Sequence, residues 1–267
     1  MLKDITLGQY FPGQSVIHRM DARVKLLLTV IYIALLFFVK NLYGFLAFGL
    51  FNVIIIAASG VPFLYTLKGL KPLLLIISLT GIINVFMTDG TPIFSYWFIT
   101  ATYEGVAVAV FMIVRLVLLM TGSSMLTFTT SPIALTDSLE SLLKPFDRLR
   151  VPSHEIAMMM TIAMRFIPII TEETDKIMKA QMARGADFAG GNILRRGKAL
   201  IPLLIPLFIS AFRRADELAL AMECRCYNGG AGRTRMKVPK LSAVDFWAIF
   251  AAVFLVGAIF LDRLGFL

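Results

Sequence analysis

Cysteine and histidine are almost missing from this chain, and their scarcity removes whole classes of chemistry. The two cysteines, Cys224 and Cys226, form a C-x-C with no other thiol in the chain, and the two histidines, His18 and His154, lie far apart. Disulfide frameworks and four-ligand zinc sites both need more than this. No metal and no cofactor is expected, and the thiols read as reduced and cytosolic. Charge is scarce as well: only 16% of the 267 residues are Asp, Glu, Lys or Arg, while 58% are hydrophobic. With a mean hydropathy of +0.81, the chain is too apolar for a soluble domain and reads as a polytopic membrane protein.

Enzyme signatures are missing too. There is no H-E-x-x-H, no G-x-S-x-G and no pair of carboxylates inside an apolar run. The nearest thing to a phosphate loop, "GNILRRGKA" (191–199), has five residues between its glycines rather than four. It also has Ala where Ser or Thr should hold magnesium, and no strand precedes it. Any ATP chemistry therefore belongs to a partner, and the chain itself is not expected to be an enzyme. The opening "MLKDITLGQYFPGQ" lacks the basic-then-apolar plan of a signal peptide.

What the chain does have is basic charge, 26 Lys+Arg against 17 Asp+Glu for a net +9. Nucleic acid is one partner for such a surplus, but no interleaved aromatic and basic surface pattern supports it. Membrane proteins gather Lys and Arg on the cytoplasmic side for topological reasons, so the lipid bilayer is the expected partner and nucleic acid is not.

A bilayer crossing needs ~20 mostly apolar residues. Five stretches qualify: 24–40, with Lys25 and Lys40 snorkelling to opposite interfaces; 42–59, ended by "GVP"; 72–88; 104–128; and 244–261. With the N-terminus inside, Lys3, Arg19, Arg23, Lys25, Lys68, Lys71 and every basic residue from 144 to 240 are cytoplasmic. Only Lys40 and Arg263 fall outside. That asymmetry predicts a multi-pass protein of the cell membrane, its N-terminus cytoplasmic and its C-terminus external. The apolar run 199–212 is too short for a span and reads as a buried or interfacial helix. The expected organisation is an N-terminal transmembrane region (1–129, four spans), a cytoplasmic domain (130–240) and a C-terminal transmembrane helix (241–267). The fold class is all-α, with about five spans and about three amphipathic helices between the last two.

Of those three, the first is "SPIALTDSLESLLKPFDRL", started by Ser131 and Pro132. In the second, Ile156, Met160, Ala163, Ile167, Ile170 and Ile177 recur on one face while Arg165, Glu172, Lys176 and Lys179 fall mostly opposite. Ser153 is the expected N-cap, Pro168 a bend and Gly185 the residue past the end. The third, roughly 193–226, sets Ile201, Leu204, Phe208, Phe212, Ala215 and Met222 on one face and Arg214, Glu217 and Arg225 away from it. Pro202 and Pro206, four apart, mark a kink.

Both long helices finish alike, in "AQMARGADF" (180–188) and "AMECRCYNG" (221–229). Arg184 sits between Ala183 and Gly185, and Arg225 between Cys224 and Cys226. An arginine in a last turn complements the helix dipole, worth ~0.3–1 kcal/mol, and singly each has that explanation. As a pair, each among small neighbours, they also suit helix-in-groove docking with a charged anchor on another protein. Elsewhere, "AMMMTIAM" (157–164) offers flexible methionines, as core filler or as an adaptable contact face. Arg115, in the middle of the fourth span, needs a partner because an ionisable group there is costly. Backbone carbonyls or a neighbouring subunit would serve.

These features together resemble the transmembrane T component of energy-coupling factor transporters, the EcfT family. The resemblance runs along nearly the whole chain: "SVIHRMDARVKLL" (15–27), "TFTTSP" (127–132), "AMRFIP" (163–168) and the two Ala-Arg-Gly-type helix ends. It implies a non-catalytic scaffold and coupling subunit of an ABC importer for vitamins or trace metals. The implied partners are two cytoplasmic ATPase subunits and a membrane-embedded substrate-binding S component. In that family the two helices cross as an X and each tip docks in one ATPase, which maps to Ala183-Arg184-Gly185 and Cys224-Arg225-Cys226. For contact with the S component the candidates are Met158, Met159, Met160, Met164, Leu204 and Phe208, chosen because flexible methionines and apolar side chains can pack against a partner. The sequence departs from the family in the cysteines around Arg225 and in Ala22, where proline is frequent. Asp21, Arg23 and Lys25 read as an interfacial cap and anchor of the first span. The rival from another class is a self-sufficient secondary carrier or channel, which would show inverted repeats and unwound helices at the midplane.

Overall fold

The computed structural model describes residues 10–39, 41–96, 99–149, 152–186, 188, 190, 193–229 and 241–263. The described residues form α1 (Ala22–Phe38), α2 (Leu42–Ser59), α3 (Phe63–Leu70), α4 (Leu74–Met87), a hairpin of β1 (Pro92–Tyr96) and β2 (Ile99–Thr102), and α5 (Tyr103–Thr129). Then come α6 (Pro132–Leu143), α7 (Ser153–Ala183), α8 (Ile193–Cys224) and α9 (Ala243–Arg263). They divide into two compact units. One holds α1–α5 and α9, and the other holds α7 and α8.

In the first unit, local chemistry sets each helix boundary. Asp21 caps α1, its Oδ1 accepting the Arg23 N–H at 2.9 Å, and Gly60 ends α2 in the left-handed region at φ 69°. Pro72 cannot donate to the preceding turn, so Lys71–Leu73 tightens into a 3₁₀ turn that joins α3 to α4. The third apolar rod is therefore Phe63–Met87, longer than the 72–88 expected, and Lys68 and Lys71 sit on helix rather than in a loop. The segment after it is a β-hairpin, pairing Pro92 with Thr102 and Tyr96 with Ile99. This small hairpin is a local addition to a fold that is otherwise all-α among the described residues, as the sequence predicts. Its β-branched and aromatic residues favour a pleated backbone. Thr102 Oγ1 then caps α5 by accepting the Gly105 N–H at 3.1 Å.

The core of this unit is Tyr32, Leu36, Val39, Phe45, Phe48 and Leu118, from α1, α2 and α5. Tyr32 donates its hydroxyl to the Leu118 carbonyl at 3.0 Å, and Asn52 Nδ2 donates to the Tyr32 oxygen at 2.6 Å. One hydrogen-bonded node thus ties three helices. Backbones approach closely where glycine permits. A Cβ at Gly122 would lie 2.3 Å from Tyr32 Cε1, and one at Gly105 would meet the Val85 and Asn84 carbonyls at 2.8 and 2.9 Å.

Among the described residues, Leu42–Ser59, Phe63–Met87, Tyr103–Thr129 and Ser153–Ala183 are long and apolar enough to cross a membrane. The last is the least apolar of the four, and its Arg165, Glu172, Lys176 and Lys179 are exposed. Helix α1 is slightly shorter, and α9 is apolar from Ala243 at least to Phe254.

Candidate functional site

The two arginine-bearing helix ends adopt one and the same geometry. At the end of α7 the Gly185 N–H donates to the Met182 carbonyl and the Ala186 N–H to the Gln181 carbonyl, both at 3.0 Å. At the end of α8 the Cys226 N–H donates to the Glu223 carbonyl at 2.8 Å and the Tyr227 N–H to the Met222 carbonyl at 3.0 Å. Each is a Schellman motif, with arginine as the cap and the next residue left-handed, Gly185 at φ 88° and Cys226 at φ 56°. Among the described residues Cys226 alone is a non-glycine with positive φ. The cysteine thus takes glycine's place without changing the turn. Ala183, Arg184, Gly185, Cys224, Arg225 and Cys226 are all exposed. Neither guanidinium forms an ion pair among the described residues, so both are left with free donors.

Helices α7 and α8 run antiparallel. Glu173 on α7 accepts from Ser210 Oγ and from Arg214 Nη2, each at 2.6 Å. One step further along, Gln181 Nε2 donates to the Pro202 carbonyl at 3.3 Å. That carbonyl is free because its helical partner four residues on is Pro206, which has no N–H. Counting the ~1.5 Å rise per residue outward from Glu173 to Arg184 and from Ser210 to Arg225, the tips stand up to roughly 40 Å apart, at opposite ends of the pair.

Two expectations about these helices change. Pro152, not Ser153, precedes α7 as its cap, and Ser153 is the first helical residue. The expected inner face of α8 lies outward: Ile201, Leu204, Phe208 and Phe212 are 42–68% exposed. Leu203, Leu207, Ser210 and Arg214 are the more buried set, because Glu173 draws Arg214 and Ser210 to the α7 side. Of the other candidate contact residues, Met159 is exposed while Met158, Met160 and Met164 are half-buried. The apolar face of α8 is therefore open.

Arg115 finds its partner in backbone. Its Nη2 donates to the Val39 carbonyl at 2.7 Å, just past the end of α1, and its guanidinium stands 5.4 Å from the centre of the Phe45 ring. The bond satisfies an end carbonyl of α1, while Arg115 Nε is buried with no hydrogen-bond partner among the described residues.

Lys25 overturns its expected role. It does not snorkel but is buried, and Nζ donates to the Thr129 carbonyl at 2.9 Å and to Thr130 Oγ1 at 3.4 Å. Beside it Asp245, on α9, is 1% exposed, and its Oδ1 accepts the Asp21 N–H at 2.9 Å. Its Oδ2 accepts the Ser242 N–H at 2.6 Å. Nothing in the local pattern pointed to Asp245, which looks like an ordinary acidic residue at a helix start. The other lysine expected to snorkel, Lys40, lies outside the described residues. Among the described residues no three His, Cys, Asp or Glu side chains gather to hold a metal.

Comparison with known proteins gives a consistent pattern. A family model described as cobalt transport protein (CbiQ) matches residues 13–238. A protein of Clostridium kluyveri named energy-coupling factor transporter transmembrane protein EcfT is 55% identical over 266 residues, covering 99% of this chain and 98% of its own length. Proteins of the same name from Ruminiclostridium cellulolyticum (56% over 245 residues, 92% of each chain) and Bacillus subtilis (42% over 264 residues, 98% and 100%) are similar along the same length. With coverage this broad, both arginine-capped helix ends fall within the compared region.

Proposed function

Because this chain belongs to the EcfT family of energy-coupling factor transporter transmembrane proteins, a family of multi-pass transport components, we propose that it is the coupling subunit of a multi-subunit ABC importer. In this reading two cytoplasmic ATPases dock on the two helix ends, one at Arg184 and one at Arg225. ATP-driven movement of the ATPases is carried through α7 and α8 to a membrane-embedded S component that binds a vitamin or trace metal.

The observation that carries the proposal is the duplicated helix end: two exposed, unpaired arginines in one Schellman geometry, at opposite ends of one antiparallel pair. A guanidinium offers five donors in a planar fork, suited to the carboxylates and carbonyls of a partner's groove. Two such forks on separate tips suit two similar grooves rather than one. The open apolar face of α8, with Leu204 and Phe208, and the methionines Met158, Met159, Met160 and Met164 of α7 supply an adaptable surface for the S component. Energetically the chain contributes no chemistry of its own; it transmits a displacement.

In orientation, the start of α1 and the unit of α7 and α8 are cytoplasmic, which puts the hairpin and the end of α9 outside. The excess of Lys and Arg between 144 and 240 supports this arrangement. Reconstitution tests the proposal. In proteoliposomes the chain alone should move no substrate, and ATP-dependent uptake should need the ATPases and the S component together. Uptake by the chain alone would make it a carrier instead.

A further inference from the structure

Between α1, α2, α5 and α9 lies a cavity of about 390 Å³, within the ~300–1,000 Å³ range of ligand pockets. Its making is legible residue by residue. Helix α9 turns Val244, Ala248, Ala251 and Ala252 inward, opposite Ala58 of α2 and Gly122 of α5. The bulky Phe246, Phe250 and Phe254 of α9 point away and are 63–74% exposed. Small-residue faces ordinarily let helices close together, yet here the space stays open. The start of α9 is pinned beside the start of α1 by the Asp245 bond to the Asp21 backbone, while Tyr32 and Phe51 stand in the opposite wall. The space is half open to the surface rather than sealed, so a chain can enter it from outside.

We propose that this cavity binds one acyl chain of an anionic phospholipid. The lining is almost wholly hydrocarbon, which excludes a polar ligand from its depth. Of its polar side chains, the Tyr32 hydroxyl is taken by the Leu118 carbonyl and Asn52, and Lys25, Thr29 and Thr129 lie toward the end nearest Asp21. There the Lys25 ammonium is already engaged by the Thr129 carbonyl, so it does not serve as the headgroup's counter-charge. The segment above that end supplies another: Ile17 and Met20 line the rim, and Arg19 between them is exposed and forms no ion pair among the described residues. An apolar slot whose rim segment carries an exposed arginine between two lining residues suits a fatty chain ending in a phosphate. Trp247, 73% exposed beside the same rim, is the residue type that sits at headgroup level. The inference requires only that the chain lie in a bilayer and is independent of the coupling role.

Native mass spectrometry of the full chain, delipidated in mild detergent and titrated with palmitoyl-oleoyl phosphatidylglycerol or phosphatidylcholine, tests it. The wild type should retain one phosphatidylglycerol, preferred over phosphatidylcholine. Arg19→Glu should weaken that lipid roughly tenfold, the effect of one lost charge-assisted contact. Ala251→Phe and Ala248→Leu should abolish retention while leaving thermal stability in detergent equal or higher, because they fill the space rather than disrupt it. Equal retention by the filled variants, or none by the wild type, overturns the proposal. Equal binding of the two lipids overturns its headgroup half.

Discussion

Cys226 holds at the end of α8 the left-handed position that Gly185 holds at the end of α7, each donating its N–H to the carbonyl three residues back, Glu223 in one case and Met182 in the other. A side chain in that conformation costs roughly 1–2 kcal/mol that glycine avoids. Cys226→Gly should therefore firm the end of α8, and Gly185→Val should loosen the end of α7 by a similar amount. Tryptic cleavage after Arg225 and after Arg184 reads both. It should slow in the first variant and quicken in the second.

Glu173 joins α7 to α8 through Ser210 and Arg214, with side chains 24% and 40% exposed at the ion pair. At that exposure the pair itself is worth ~0.2–1 kcal/mol, and the Ser210 bond adds about as much. A double-mutant cycle of Glu173→Ala and Arg214→Ala, followed by thermal unfolding in detergent, should return a coupling energy in that range. A coupling of zero would mean that apolar packing alone holds the helices together.

Gly122 is needed because Tyr32 lies against it. Gly122→Ala should destabilise by ~1–3 kcal/mol through overpacking, whereas in a Tyr32→Ala background, itself destabilised by ~3–5 kcal/mol, the same change should cost little. Tyr32→Phe, which removes only the hydroxyl shared with Asn52 and the Leu118 carbonyl, should cost ~1 kcal/mol. Thermal stability of the wild type and these variants in one detergent checks both expectations.

Local pattern revealed much of this molecule, and the reason is physical. Apolar runs of bilayer length report their own burial, so α2, α5 and α9 start and end within a residue or two of the expected positions. The helix ends were legible because glycine past an arginine is a local signal, and the repeat of that signal pointed to Cys226. Partner choice was not legible. Lys25 looks like a snorkelling lysine until α5 supplies the Thr129 carbonyl, and Asp245 reaches Asp21 across almost the whole chain. The α8 face was misjudged because periodicity ranks faces by apolarity. The Glu173 carboxylate, a feature of another helix, drew the more polar face inward. In the hairpin, Pro92–Tyr96 and Ile99–Thr102 carry strand-forming residues, a weak short-range signal between two much longer apolar runs.

Counting ATPase subunits tests the central claim most directly. The complete complex, purified by a tag on this chain, should carry two ATPase subunits by native mass spectrometry. Arg184→Glu should leave one, Arg225→Glu should leave one, and the double variant should leave none while still inserting in the membrane. A double variant that keeps both subunits would contradict the account.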